Sequence, residues 1–173
     1  PLPRDNINGR SFFSSRVAIS TYSPSAPLGD ILVHETGMDG WEIAITGNLN
    51  DRPLLYENTM LFTSNRNRPE QVPVARDFFA YDFSSGEIRQ VTTAIDASQA
   101  WLTDLWGDKF AILYISPDLF LLGNSNNGET REVLPPEEAR SVVDIALYEN
   151  TLVYLKRVSL ADKENSLTLC ELK

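Results

Sequence analysis

The sequence predicts an all-β fold, a β-propeller-like array of about four antiparallel meander blades that is either closed at four or an incomplete part of a larger ring. Three observations carry this expectation. First, Tyr56-Glu57-Asn58-Thr59-Met60-Leu61-Phe62 returns almost unchanged as Tyr148-Glu149-Asn150-Thr151-Leu152-Val153-Tyr154: an aromatic, a two-residue turn and an apolar run. Second, a looser copy, Trp106-Gly107-Asp108-Lys109-Phe110-Ala111-Ile112, lies between them, and the spacings of about 50 and about 42 residues fall in the range of propeller blades. Third, no segment sustains a 3.6-residue apolar period over three turns, whereas two-residue alternation recurs along the chain.

In chain order, Pro1 to Arg10 carries prolines, asparagines and arginines with almost nothing apolar in period, and reads as an extended N-terminal arm. Residues 11–173 are expected to form a single propeller-like domain. Phe12 to Tyr22 alternates as a strand with one buried face, and Pro24 and Pro27 break any continuing ladder. Ile31 to His34 and Trp41 to Gly47 read as a hairpin turned at Gly37-Met38-Asp39-Gly40. Asn48 to Pro53 reads as a turn cluster that leads into the organising repeat. Thr59 to Ser64, Asp77 to Phe83 and Glu87 to Thr92 then make a three-stranded meander turned at Ser84-Ser85-Gly86.

The next copy runs from Lys109 to Ile115, breaks at Ser116-Pro117-Asp118, continues from Leu119 to Leu122, turns at Asn127-Gly128 and returns from Glu129 to Val133. Pro136-Glu137-Glu138-Ala139 reads as a loop joining blades, with a single helical turn as the alternative, since an early proline and acids suit a helix N-terminus. Ser141 to Leu147 and Thr151 to Val158 form the last hairpin, with Leu167 to Leu172 as its outer strand.

Composition narrows the chemistry. The 173 residues suffice for a sizeable core without metal or disulfide staples, and 42% hydrophobic residues argue against disorder across the chain. A formal charge of −9 repels a phosphate backbone, so nucleic acid is not an expected partner. The densest basic stretch, Arg66, Arg68 and Arg76, is offset by Glu70 and Asp77 and reads as a solvated loop that could also contact a partner. No apolar run is long enough for a membrane-spanning helix, and the N-terminus lacks the layout of a signal peptide, so no membrane insertion is expected. The chain begins at Pro1, as a processed form or a domain of something longer would. Cys170 is the sole cysteine, which excludes an intrachain disulfide and a thiolate cluster, and its alternating run suits a small buried hydrophobe.

Residues 50–93 resemble a blade of the TolB-type β-propeller family. The resemblance rests on Asn50-Asp51-Arg52-Pro53, on Leu61-Phe62-Thr63-Ser64-Asn65-Arg66, and on Tyr81-Asp82-Phe83-Ser84-Ser85-Gly86-Glu87-Ile88-Arg89-Gln90-Val91-Thr92. The family's Ser-Pro-Asp-Gly turn is replaced here by Tyr56-Glu57-Asn58-Thr59, and the arginine-bearing strand end is not repeated in the later copies. The resemblance implies a propeller that serves as a protein-docking module or as the gating domain of a prolyl oligopeptidase-like peptidase. It also implies an extracytoplasmic location. Four blades fall short of the family's usual six or more, so an open half that pairs with a second copy as a homodimer is a further expectation, because open sheet edges invite association.

His34 is the only histidine, and its place after Ile31-Leu32-Val33 suits a satisfied strand residue rather than a catalytic base. No Gly-x-Ser-x-Gly elbow, phosphate-binding glycine loop or calcium loop occurs, and no cofactor is expected. Carboxylates are the functional type in excess. Asp51, Asp104 and Asp144 recur near the start of each repeat and would gather at a propeller's central channel, where they would bind a cation or a cationic peptide. Alternatively, with Glu57, they would supply the acid and base of a glycosidase-like hydrolase. The competing reading is that each aspartate bonds amides of its own turn. Trp41, Trp101, Trp106, Tyr56 and Tyr148 are expected to pack between blades, with ligand stacking as the alternative. The favoured function is a non-catalytic module that binds a protein or peptide, with Asp51, Asp104, Asp144, Arg66, Arg68 and Trp106 as candidate contacts.

Overall fold

The repeated turn is a hairpin bend, and it occurs four times rather than three. In a computed structural model that describes residues 6–22, 29–67, 75–92, 99–157 and 165–171, the first turn residue is left-handed in each copy. Its φ is +54° at Ser14, +47° at Glu57, +61° at Gly107 and +51° at Glu149. A positive φ at this position matches the bend to the right-handed twist of the flanking strands. The fourth copy is Phe13-Ser14-Ser15-Arg16-Val17-Ala18-Ile19, whose polar turn and charged Arg16 hide the kinship in sequence.

Each turn joins the first two strands of an antiparallel sheet. β1 (Asn6–Phe13), β2 (Arg16–Tyr22), β3 (Ile31–Glu35) and β4 (Glu42–Ile45) form the first sheet in that order. β5 (Asn50–Tyr56), β6 (Thr59–Ser64), β7 (Asp77–Asp82) and β8 (Ile88–Gln90) form the second. β9 (Ala100–Trp106), β10 (Lys109–Tyr114), β11 (Leu119–Asn124) and β12 (Thr130–Leu134) form the third. After the single helical turn α1 (Pro136–Ala139), β13 (Val142–Tyr148), β14 (Thr151–Arg157) and β15 (Asn165–Glu171) form a three-stranded fourth sheet. The all-β architecture of four meander sheets is therefore as the sequence predicts, and the helical alternative holds at Pro136–Ala139.

The differences lie at the first strand of each sheet. Asn6 to Arg10, expected as part of an arm, belong to β1 and pair with β2; residues 1–5 lie outside the described residues. Asn50 to Pro53, expected as a turn cluster, open β5, and Ala100 to Trp106 form β9 where no strand is evident in sequence. Among the described strands these pair along one edge only, so they tolerate Pro53 and the polar run Asn50-Asp51-Arg52 that would be costly inside a sheet.

The chain divides into two compact units, residues 1–98 and 99–173. In the first, Ala18, Ile31, Val33 and Ile45 of one sheet pack against Leu55, Met60, Phe62 and Phe79 of the next. In the second, Ala111, Leu113, Phe120 and Leu122 pack against Val142, Ile145, Leu147, Leu152 and Tyr154, with Ala139 of α1 sealing the end. Burying one such side chain contributes about 1.5–3 kcal/mol. Gly9 is required for this approach, because a Cβ there would lie 2.9 Å from Ser20 Oγ and 3.1 Å from the Arg52 nitrogen. No helix among the described residues is long and apolar enough to cross a membrane.

Candidate functional site

The aromatics that precede the turns pair sheet to sheet. Phe13 and Tyr56 lie 4.6 Å apart by ring centroid in the first unit, and Trp106 and Tyr148 lie 4.6 Å apart in the second. Near these pairs a backbone amide of one sheet reaches a side chain of its neighbour. Leu55 N–H donates to Ser11 Oγ at 2.9 Å, and Leu147 N–H donates to Asp104 Oδ2 at 2.6 Å. Ser11 and Asp104 each stand two residues before the turn aromatic, so they are structural counterparts.

Asp104 is therefore not the counterpart of Asp51. Asp51 pairs with Thr63 and Asp144 pairs with Leu155, each four residues beyond the strand start, whereas Asp104 pairs with Ala111, two beyond. A bulge between Asp51 and Leu54 hides the equivalence of Asp51 and Asp144, since it adds a residue before Tyr56. All three aspartates share one bond: Oδ1 accepts the next residue's amide, from Arg52 at 2.7 Å, Leu105 at 2.9 Å and Ile145 at 3.0 Å.

Their environments diverge. Asp51 is buried, accepts Ser20 Oγ–H at 2.8 Å and meets an Arg76 guanidinium nitrogen at 3.2 Å. Asp144 is exposed. Asp104 is half-buried in the second unit, and burial pushes its carboxyl above the ordinary carboxylate value, against the amides of Leu147 and Leu105; the nearby charge of Asp144 adds to the rise. Asp104 and Asp144 are thus brought together, while Asp51 belongs to the other unit.

Of the remaining candidates, Glu57 is exposed at its turn, where its carbonyl accepts an Arg16 guanidinium N–H at 2.9 Å. Arg66 lies over the rings of Phe79 and Phe62, 5.0 and 5.4 Å from their centroids, with Nε donating to Ser64 Oγ at 3.4 Å. Burial holds its guanidinium below the usual arginine value. Arg68 lies outside the described residues. In the turn that carries the family resemblance, Asp82 Oδ1 accepts Ser84 Oγ–H and the amides of Ser84 and Ser85, and the Ser84 bonds lower its carboxyl. His34 donates from Nδ1 to the Gly40 carbonyl at 2.7 Å and tilts against Trp41, and Cys170 packs against the second core. Among the described residues no group of three or more His, Cys, Asp or Glu is placed to hold a metal ion.

Trp101 departs from the other aromatics: it is 64% exposed and takes part in no ring contact among the described residues. It borders a cleft of about 210 Å³ with Leu113, Ile115, Asp118, Arg140 and Val142. Asp118 and Arg140, which line this cleft from separate segments, and the strand-bridging Ser11, Ser20 and Arg76 are not evident in sequence, because each owes its place to residues far away along the chain. A serine two places before the turn aromatic, matched to Asp104, is the one signal that was present.

No family model and no curated protein matches the chain. Solved structures do. The computationally designed Ika4 protein is 8% identical with a TM-score of 0.60, over 99% of this chain and 94% of that one. TolB from Acinetobacter baumannii is 14% identical with a TM-score of 0.62, over 98% of this chain and 42% of that one. The β-propeller domain of the Trilobed protease from Pyrococcus furiosus is 10% identical with a TM-score of 0.68, over 96% and 55%. The chain thus spans about half the length of the two natural structures. At these identities the likeness establishes the fold alone, an all-β, propeller-like array of antiparallel meander sheets.

Proposed function

We propose that the chain is a non-catalytic propeller-like binding module for a protein or peptide, built on a TolB-type repeat. The observation that supports it most is the outer strand of the last sheet. β15 pairs only with β14 among the described strands, and Leu167 and Leu169 on it are 63% and 68% exposed. An open edge beside exposed leucines is a surface that takes a partner strand or an apolar partner face. Of the charged candidates Asp144 is exposed and open to a partner, while the bonds of Asp51 support a structural share. A narrower form of the reading is that a second copy of the chain pairs along an open sheet edge and completes a propeller as a homodimer.

Partner capture tests the proposal directly. The tagged protein is expected to retain a specific partner, and Leu167→Lys with Leu169→Lys is expected to abolish retention with the fold intact by circular dichroism. Light-scattering mass tests the dimer: twice the chain mass supports it, and a monomer at all concentrations rejects it. A second reading, a glycosidase-like hydrolase, draws on the raised carboxyl of Asp104 beside Asp144. It requires turnover on a glycoside panel that Asp104→Asn removes without unfolding the chain.

A further inference from the structure

The cleft beside Trp101 carries a pattern of its own. Its walls come from β9 through Trp101, from β10 and its following residue through Leu113 and Ile115, and from β13 through Val142. Asp118, after β10, and Arg140, after α1, supply one charge of each sign. Among the described residues Asp118 forms no hydrogen bond or ion pair, and the only side-chain bond of Arg140 runs from Nε to the Glu137 carbonyl at 3.2 Å. Two charges in one small cleft that do not pair with each other are each open to a ligand. Trp101 and Ile115, 64% and 56% exposed, offer an apolar plate between them.

A volume of about 210 Å³ is below that of a drug-sized pocket and suits a single large side chain. Aromatic side chains that stand free beside polar groups are the usual anchors of peptide recognition, since they bury area at small entropic cost. An isolated cationic or anionic ligand would meet one favourable and one unfavourable charge here. A ligand carrying both signs meets two favourable ones.

We propose that this cleft is a peptide-binding site that seats one aromatic or large aliphatic side chain against Trp101 and Ile115, between a basic residue at Asp118 and an acidic residue at Arg140. The inference rests on the reading of the chain as a peptide-binding module, and it names a ligand class and a place separate from the β15 edge.

The probe is a glycine-flanked Lys-Phe-Glu peptide added to the full chain while the indole N–H resonances of Trp41, Trp101 and Trp106 are followed by NMR. The Trp101 resonance is expected to shift and saturate, with the other two unmoved, and Asp118→Asn and Arg140→Gln are each expected to weaken binding by about tenfold or less. A doubly reversed variant, Asp118→Lys with Arg140→Glu, is expected to lose the Lys-Phe-Glu peptide and to bind the reversed-charge one built with Asp in place of Lys and Arg in place of Glu. No shift of Trp101 up to about 10 mM peptide overturns the proposal. So does equal binding of phenylalanine amide alone, or of a peptide with both charges removed. The β15 reading is scored separately by partner capture, so a chain that retains its partner through Leu167 and Leu169 yet shows no Trp101 shift sinks only this inference.

Discussion

The two units solve the same problem with different chemistry. Each packs two meander sheets face to face, pairs the turn aromatics at the same 4.6 Å, and ties one sheet's amide to its neighbour's side chain. In the first unit the tie is the neutral Ser11, and the buried carboxylate, Asp51, is matched by Ser20 and Arg76. In the second the tie is itself a carboxylate, Asp104, placed near a second acid. A repeat position that needs only an acceptor can be filled by a hydroxyl or an acid. The acid adds a group whose carboxyl is held above the ordinary carboxylate value, by burial first and by the charge of Asp144 besides.

The largest difference between the units is expected on removing the two aspartates that share a ladder position. Asp51→Ala strips Ser20 and Arg76 of their shared acceptor and is expected to cost about 3 kcal/mol in urea unfolding. Asp144→Ala, at an exposed site, is expected to cost less than about 0.5 kcal/mol. Equal costs would mean that the two positions are not distinguished by burial. The interstrand tie comes next: Ser11→Ala leaves the Leu55 amide without its acceptor and is expected to cost about 1–2 kcal/mol.

The turns give smaller effects. Gly107→Ala forces a left-handed alanine and is expected to cost about 1 kcal/mol, whereas Glu57→Gly and Glu149→Gly release the same strain and are expected to gain up to about 1 kcal/mol each. Denaturation midpoints of the three variants check this, and a loss at both glutamates would show that their side chains contribute to the turn.

The pH dependence of Asp104 is the subtlest difference. Its folded carboxyl is raised, so the folded state holds the proton more tightly than the unfolded state does. Its contribution to stability is full below the ordinary carboxylate value and falls as pH rises through the folded value. Asp104→Asn is expected to flatten that fall in unfolding titrations across the acidic range. A slope identical to wild type would remove Asp104 as its source.

Legibility followed how local each signal was. β6 is legible residue for residue at Thr59–Ser64, because its apolar run lies inside a sheet and is bounded by its own turn. The Ser14-Ser15 copy was invisible, since its aromatic and buried run are separated by polar residues that resemble a loop. The first strands, β5 above all, look like turns in sequence because an edge strand tolerates proline and acids that a central strand rejects. The three aspartates are all visible as candidates, but Asp104 stands two residues before its turn aromatic and so differs from the others already in sequence. The equivalence of Asp51 and Asp144 is hidden by the one-residue bulge after Asp51, and only the pairing partners reveal it.

What the sequence determined alone is the all-β class, the meander rhythm and the turn chemistry, for these depend on neighbours two to four residues apart. Tertiary structure decided which aspartate is neutralised, which is raised and which aromatic stands free at a cleft. Each of those outcomes depends on groups brought from distant strands: Ser20 and Arg76 to Asp51, Leu147 to Asp104, and Asp118 and Arg140 to the cleft of Trp101. Burial and charge act through space, so they cannot be read along the chain.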